Sequence, residues 1–273
     1  MKEPFQPITP EVLTIDQWQQ LNSLLVAGFT TKIGGFSERP FTGLNLGLHV
    51  HDKIDHVHQN RRRIGEILDF PLSTWVCADQ VHDAKIVKVE SKDIGKGVYD
   101  YENSIESTDG FYTLERGCLL TSCYADCVPL FFFAPKHNVI GLAHAGWKGT
   151  VKKIAENMIK TLQKNEHIDS TDILVAIGPS IQNCCYTVDD IVIQAVRNMG
   201  LGGEHYYYQT SPGQYQLNLA RLNKDVLLKS GVIEENILTT SYCTSCAEQL
   251  FFSHRRDKGT TGRMMSFIGI REA

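Results

Sequence analysis

Two apolar runs joined by a short turn constrain this chain more than any other feature. Val128-Pro-Leu-Phe-Phe-Phe-Ala134 and Val139-Ile-Gly-Leu-Ala143 flank Pro135-Lys-His-Asn138. Apolar runs of this length read as strands, and Pro and Asn favour the turn for steric reasons. A hairpin that closes at 135–138 sets positions 127 and 144 on opposing strands, within about two residues of register. Directly opposed residues have Cβ atoms about 5 Å apart. Cys127 and His144 are therefore expected to meet through local structure alone. A Cys and a His that close are either a thiolate–imidazole nucleophile pair or two metal ligands. Plain core packing is the competing reading of each residue taken singly. Asp126 and Pro129 count against it, being unusual flanks for a mid-strand core cysteine. So does the position of His144, just before Gly146-Trp-Lys-Gly149, a strand-to-helix turn whose N–H groups favour anions.

A catalytic zinc takes three protein ligands and a water. His82 is the candidate third ligand, because it follows a β-rich run and stands among polar residues. His49, His51, His56 and His58 form a second group that pattern leaves open. They fall in a loop and a helix start, where solvated histidines are common.

The remaining chain alternates strands and helices, which predicts an α/β or α+β fold built as one layered domain over 1–273, with no Pro/Gly/Ser-rich linker dividing it. The spacing predicts helices over 57–68, 150–162 (Thr150 as a cap), 189–199 and 217–228, the last ended by Ser230-Gly231. Strands are expected over 75–81, 85–90, 118–123, 172–177, 236–241 and 264–270. The 273 residues suffice to bury a sizeable core, and 42% apolar with 21% charged residues is ordinary for a soluble enzyme. A formal charge of −4 argues against a non-specific nucleic-acid binder. The apolar runs are too short to span a bilayer, and MKEPFQPITPEVL lacks a signal-peptide core, so a cytoplasmic location is expected. The eight cysteines fit a reducing compartment, where most are core residues and a few serve chemistry.

Seven ordered blocks then carry a resemblance: TTKIGGFS around 31–37, DQVHDAKI at 79–86, STDGFYT at 107–113, ADCVPLFF at 125–132, AHAGWKGT at 143–150, IGPSIQNCCY at 177–186 and FFSHRRD…TGRM at 251–264. From about residue 28 to its end the chain resembles the YfiH-like family, once called multicopper polyphenol oxidoreductases. The resemblance implies that His82, Cys127 and His144 bind the metal. It implies a layered fold with a central mixed sheet, related to toxin domains that deamidate glutamine through a Cys–His pair. It also implies phosphorolysis of adenosine, inosine, guanosine and methylthioadenosine, together with adenosine deamination. Zinc suits two His and one Cys with an open position; copper is the older family assignment. A copper phenol oxidase and a Cys–His amidohydrolase acting on peptidoglycan precursors are the rival activities.

Phosphorolysis needs a phosphate site. Arg255 and Arg256 are candidates, since a guanidinium fork matches two phosphate oxygens, and Lys148 is another. Lys32 stands where the family commonly has Arg and offers only a point charge. Asn45 and Tyr186 are candidates to shape the pocket, and Asp109 is either a turn residue or a partner for a ligating histidine. Cys243-Thr-Ser-Cys246 reads as a lone CxxC. Cys184-Cys185 has the wrong spacing for a second pair, so no metal site is expected there.

Overall fold

The 128–134 strand is apolar at every position because both of its faces are covered, and period-2 alternation decides what covers each. Val128, Leu130, Phe132 and Ala134 pack into a core shared with helices, while Phe131 and Phe133 pack into a core shared with another sheet. The molecule, a computed structural model describing residues 2–202 and 204–272, is organised around that division.

One six-stranded sheet runs in the order Ile237–Thr239, Leu174–Ile177, Val128–Ala134, Val139–Ala145, Gly110–Thr113, Ile86–Lys88. Its two edge strands pair parallel and its inner pairs are antiparallel. A second six-stranded sheet runs Phe5–Thr9, Val12–Ile15, Leu25–Thr30, Met264–Ile270, Leu119–Tyr124, Trp75–Cys77. Phe29, Leu120, Tyr124, Met264 and Ile268 of this second sheet meet Phe111, Phe131, Phe133 and Leu142 of the first. Aromatic contacts tie the interlayer core, with ring centroids 5.5 Å apart for Phe5–Phe131 and 5.7 Å for Trp18–Phe133. Helices Ile154–Glu166, Asp190–Asn198 and Leu219–Lys229 cover the outer face of the first sheet. Helix Ile54–Leu68 covers the outer face of the second through Ile64 and Leu68 against Trp75, Met265 and Phe267. A three-stranded sheet, Thr187–Val188, Gln214–Leu217 and Tyr207–Ser211, completes the strands described.

The mixed α/β class agrees with expectation, but a single central sheet does not. Two large sheets stack between helical layers, because the strands of each bury both faces. The first three strands of the second sheet lie outside every segment expected to be regular. The expected helix over 150–162 is two helices, Trp147–Val151 and Ile154–Glu166, separated at Lys153, whose φ of 61° interrupts the ladder. Thr150 is no cap; it is buried, and its hydroxyl accepts from Asn223 Nδ2 at 2.9 Å. Strand 75–81 stops at Cys77 and 85–90 shrinks to 86–88. Asp189 and Asn218 cap the next two helices, accepting from Val192 N and Arg221 N. Among the described residues no helix is long and apolar enough to cross a membrane.

Phe131 is fully buried between the sheets, whereas Phe36 is half exposed. Phe131→Ala is expected to cost about 3–5 kcal/mol by loss of burial and cavity formation. Phe36→Ala should stay within about 0.5 kcal/mol of the parent. Urea midpoints of the two variants at equal slope check this pair.

Candidate functional site

The hairpin register pairs Val128 with Ala145 and Pro129 with His144, so position 127 faces Gly146 and His144 lies two residues on. The strand alternation turns His144 into the layer between the sheets, where it is buried against the ring of Tyr124 at a centroid distance of 5.3 Å. Gly146 lets the third residue enter. A Cβ at this position would stand 2.9 Å from His82 Cδ2 and 3.1 Å from Cys127 Sγ, so any side chain would intrude on both. His82 itself sits at φ 61° in a tight turn.

Asp109 holds that turn. Its carboxylate, fully buried, accepts N–H from Val81 at 3.2 Å, His82 at 3.0 Å and Asp83 at 2.7 Å. The same carboxylate takes Nδ1–H of His144 at 2.8 Å, which leaves the lone pair on Nε2. Nε2 of His82 is 3.8 Å from Cys127 Sγ. The His82 and His144 rings are 4.7 Å apart at 78°. One ligand atom from each of His82, Cys127 and His144 falls within 4.8 Å of the others, so the three could hold a metal ion.

Electrostatics sharpen the set. Burial pushes the Cys127 thiol up, but the charge and hydrogen bond of His144, with those of His82, bring it well below the usual thiol range. Burial lowers His144, and Cys127 and Asp109 more than offset this, raising it. Both shifts favour a Cys127 thiolate beside a protonated His144; the thiolate is the form that ligates or attacks, and His144 becomes a ligand on giving up its Nε2 proton.

The centre opens into a cavity of about 520 Å³. Lys148 and Arg255 line it, as do Trp147, Tyr186, His49 and Arg263. The Lys148 ammonium lies 5.8 Å from the Trp147 ring, and the Arg255 guanidinium 5.2 Å from the Tyr186 ring. Arg255 also donates to the Thr187 carbonyl. His49 is held neutral: surrounding protein, then Arg263 and Arg61, push its pKa to about 4.

Three expected residues lie elsewhere. Arg256 is engaged internally, by Asp257 at 2.8 and 3.0 Å and by the carbonyls of Thr244, Ser245 and Phe251. It and Lys32 line a separate cavity. Asn45 is fully buried; its amide donates to Asp52 and its oxygen accepts from Gly47 N and Arg263 N. The Arg255–Arg256 pair therefore splits, one toward the cavity and one into the fold. The premise that no second cysteine pair stands near Cys243 and Cys246 needs correcting. Cys184, Cys185, Cys243 and Cys246 converge, because the fold brings together two pairs that spacing kept apart. His49, Trp147 and Arg263 also line the cavity; Trp147 is adjacent in sequence to Lys148, whereas His49 and Arg263 come from distant segments that only the fold brings to it.

Comparison with known proteins gives a consistent neighbourhood. A family model described as multi-copper polyphenol oxidoreductase laccase matches residues 26–271. "Purine nucleoside phosphorylase YlmD" of Bacillus subtilis is 48% identical, over 99% of this chain and 98% of its own length. The protein of the same name from Geobacillus stearothermophilus is 52% identical over 90% of each chain. The crystal structure of the Geobacillus stearothermophilus YlmD superposes with a TM-score of 0.94 at 49% identity, covering 99% of this chain and 100% of that one. That of the Bacillus licheniformis hypothetical protein YfiH gives 0.95 at 45%, covering 98% and 99%.

Asp109→Asn tests the geometry. An amide there would present N–H to His144, favouring the tautomer that protonates Nε2 and blocks it as a ligand. Divalent-metal affinity should fall about 10- to 100-fold, read by competition with a chromophoric chelator. Unchanged affinity would mean that Asp109 does not set the His144 tautomer.

Proposed function

This chain belongs to the multi-copper polyphenol oxidoreductase, or YfiH-like, family, and on that premise we propose that it cleaves purine nucleosides by phosphorolysis at the His82–Cys127–His144 centre. Adenosine, inosine, guanosine and methylthioadenosine are the proposed substrates. The observation that carries the reading is that one cavity holds both this donor set and the cations Arg255 and Lys148.

In the proposed reaction a phosphate oxygen bonds to C1′ of the sugar as the bond from C1′ to the purine nitrogen breaks. The electron pair leaves with the purine, which takes up a proton, and the sugar 1-phosphate is released. Arg255 binds and orients the phosphate. Its bond to Thr187 occupies one of five guanidinium donors, and its guanidinium lies 5.2 Å from the Tyr186 ring, within cation–π reach. Lys148 adds a second positive charge to the same cavity. Cationic side chains in a recessed site are worth more to a phosphate dianion than in open water, because screening is weaker there. His49, its pKa pushed down to about 4, contributes no further positive charge.

Zinc is the metal we propose, since two imidazoles and a thiolate match its catalytic donor sets. When bound it would supply a Lewis acid with one position left open. Asp109 keeps Nε2 of His144 available, and Gly146 keeps the space between His82 and Cys127 clear. Deamination of adenosine at the same centre is part of the proposal: there water adds at C6 of the purine and the amino group leaves as ammonia, giving inosine.

Incubating the protein with inosine, with and without phosphate, is the decisive experiment. Free base and ribose 1-phosphate should form only with phosphate. Arg255→Ala should raise the apparent KM for phosphate at least about tenfold, as expected for loss of a charge-assisted hydrogen bond of about 1.5–3 kcal/mol. Its effect on adenosine deamination should be far smaller. Cys127→Ala should abolish both activities. If phosphate yields no free base, the phosphorylase reading fails. Oxygen uptake on phenols would then favour a copper oxidase, and chelator-resistant, alkylation-sensitive activity a Cys–His amidohydrolase.

A further inference from the structure

A second group of soft ligands lies outside the nucleoside cavity. Cys184 and Cys185 occupy the turn after the 174–177 strand, and Cys243 and Cys246 end the turn Cys-Thr-Ser-Cys. Their four sulfurs lie within 4.8 Å of one another. Cys246 Sγ is 3.5 Å from Cys184 Sγ and 3.3 Å from Cys185 Sγ. A disulfide would need about 2.05 Å, and all four thiols are free. In a tetrahedral thiolate site with metal–sulfur bonds of about 2.3 Å, the edges between sulfurs are about 3.8 Å. The separations of 3.5 and 3.3 Å fall a few tenths of an ångström below that value, and no pair exceeds 4.8 Å.

The surroundings are built independently of the sulfurs. Ser180 and Cys243 form a parallel bridge, Thr244 N donates to Ser180 O at 3.0 Å, and Gln182 Nε2 donates to Tyr242 O at 3.4 Å. Two chain segments some sixty residues apart are thus held side by side with their cysteines facing. Backbone N–H groups of Gln182, Ser245 and Cys246 converge on Cys243 Sγ, the first at 3.4 Å. Donors aimed at one sulfur stabilise it as a thiolate, the form a metal requires. Behind the turn, Arg256 donates to the carbonyls of Thr244 and Ser245 at 3.1 and 3.2 Å. These bonds brace the Cys-Thr-Ser-Cys turn. Cys184 and Cys246 are exposed, which gives an ion a way in.

We propose that Cys184, Cys185, Cys243 and Cys246 hold a structural zinc ion, separate from the His82–Cys127–His144 centre. Four thiolates in a closed tetrahedral set characterise structural rather than catalytic zinc. The ion would clamp the segment carrying Tyr186 to the segment carrying Arg255, and so position two cavity residues. Thr244 links the clamp to the hairpin through its hydroxyl on Asp126 Oδ1 at 2.6 Å. The proposal does not depend on the nucleoside reading, because its site shares no ligand with the catalytic centre.

Metal analysis of protein purified without chelator tests it. Wild type should carry two zinc ions per chain, while Cys184→Ser and Cys246→Ser should each carry one. Cys127→Ala, which disables the other centre, should keep one zinc, with X-ray absorption giving four sulfur neighbours at about 2.3 Å. If the serine variants do not fold, an anomalous difference map of wild-type crystals at the zinc edge should show a peak among the four sulfurs. The proposal is overturned by any of four results: serine variants with wild-type zinc content, metal-free Cys127→Ala, iron in place of zinc, or no anomalous peak among the sulfurs.

Discussion

The antiparallel pairing of 128–134 with 139–145 carries the rest of this structure. Its alternation assigns Leu130 and Phe132 to the helical layer and Phe131 and Phe133 to the layer between the sheets. One residue of slip would exchange those faces and drive each apolar row into the wrong core. The same register places His144 at the end of the interlayer, beside Tyr124, and sets Gly146 opposite Cys127. Core packing and site geometry are therefore consequences of a single strand alignment.

Two buried carboxylates extend that alignment to segments far apart in the chain. Asp109 gathers three consecutive N–H groups at 81–83 and the Nδ1–H of His144. Asp126, at φ 89°, accepts from Thr244 Oγ1, Ser253 Oγ and the N–H of Arg255. The first fixes two of the three potential metal ligands. The second joins the loop before Cys127 to the C-terminal turn that delivers Arg255 to the cavity. Buried anions are tolerated only when their oxygens are satisfied, and here the partners are the groups that need orienting.

The charge arrangement shows how a chain of net negative charge can present a locally cationic recess. Arg255, Lys148 and Arg263 face one cavity, while most acidic residues lie on solvated faces or in ion pairs such as Lys53–Glu38 and Lys136–Asp172. What matters to a phosphate is the local field in the recess, not the sum over the chain.

Local pattern alone determined the hairpin, the expectation that Cys127 and His144 would meet, and most of the amphipathic helices, because these depend on neighbours in sequence. The strand 264–270 was legible to the residue, since an apolar run buried on both faces has no competing reading. Tertiary structure decided the remainder. The separation of Arg255 from Arg256 depends on Asp126 holding one backbone N–H and Asp257 engaging the other guanidinium, partners no spacing rule names. Asn45 proved to be a buried brace between Asp52 and Arg263 for the same reason. The strands at 5–9, 12–15 and 25–30 become regular only because a second sheet is there to receive them, which gave two stacked sheets where one was expected. Cys184-Cys185 and Cys243–Cys246 look unrelated along the chain. Pairing between the two segments, the Ser180–Cys243 bridge included, brings their sulfurs together, because a coordination sphere is defined by distances in space rather than along the sequence.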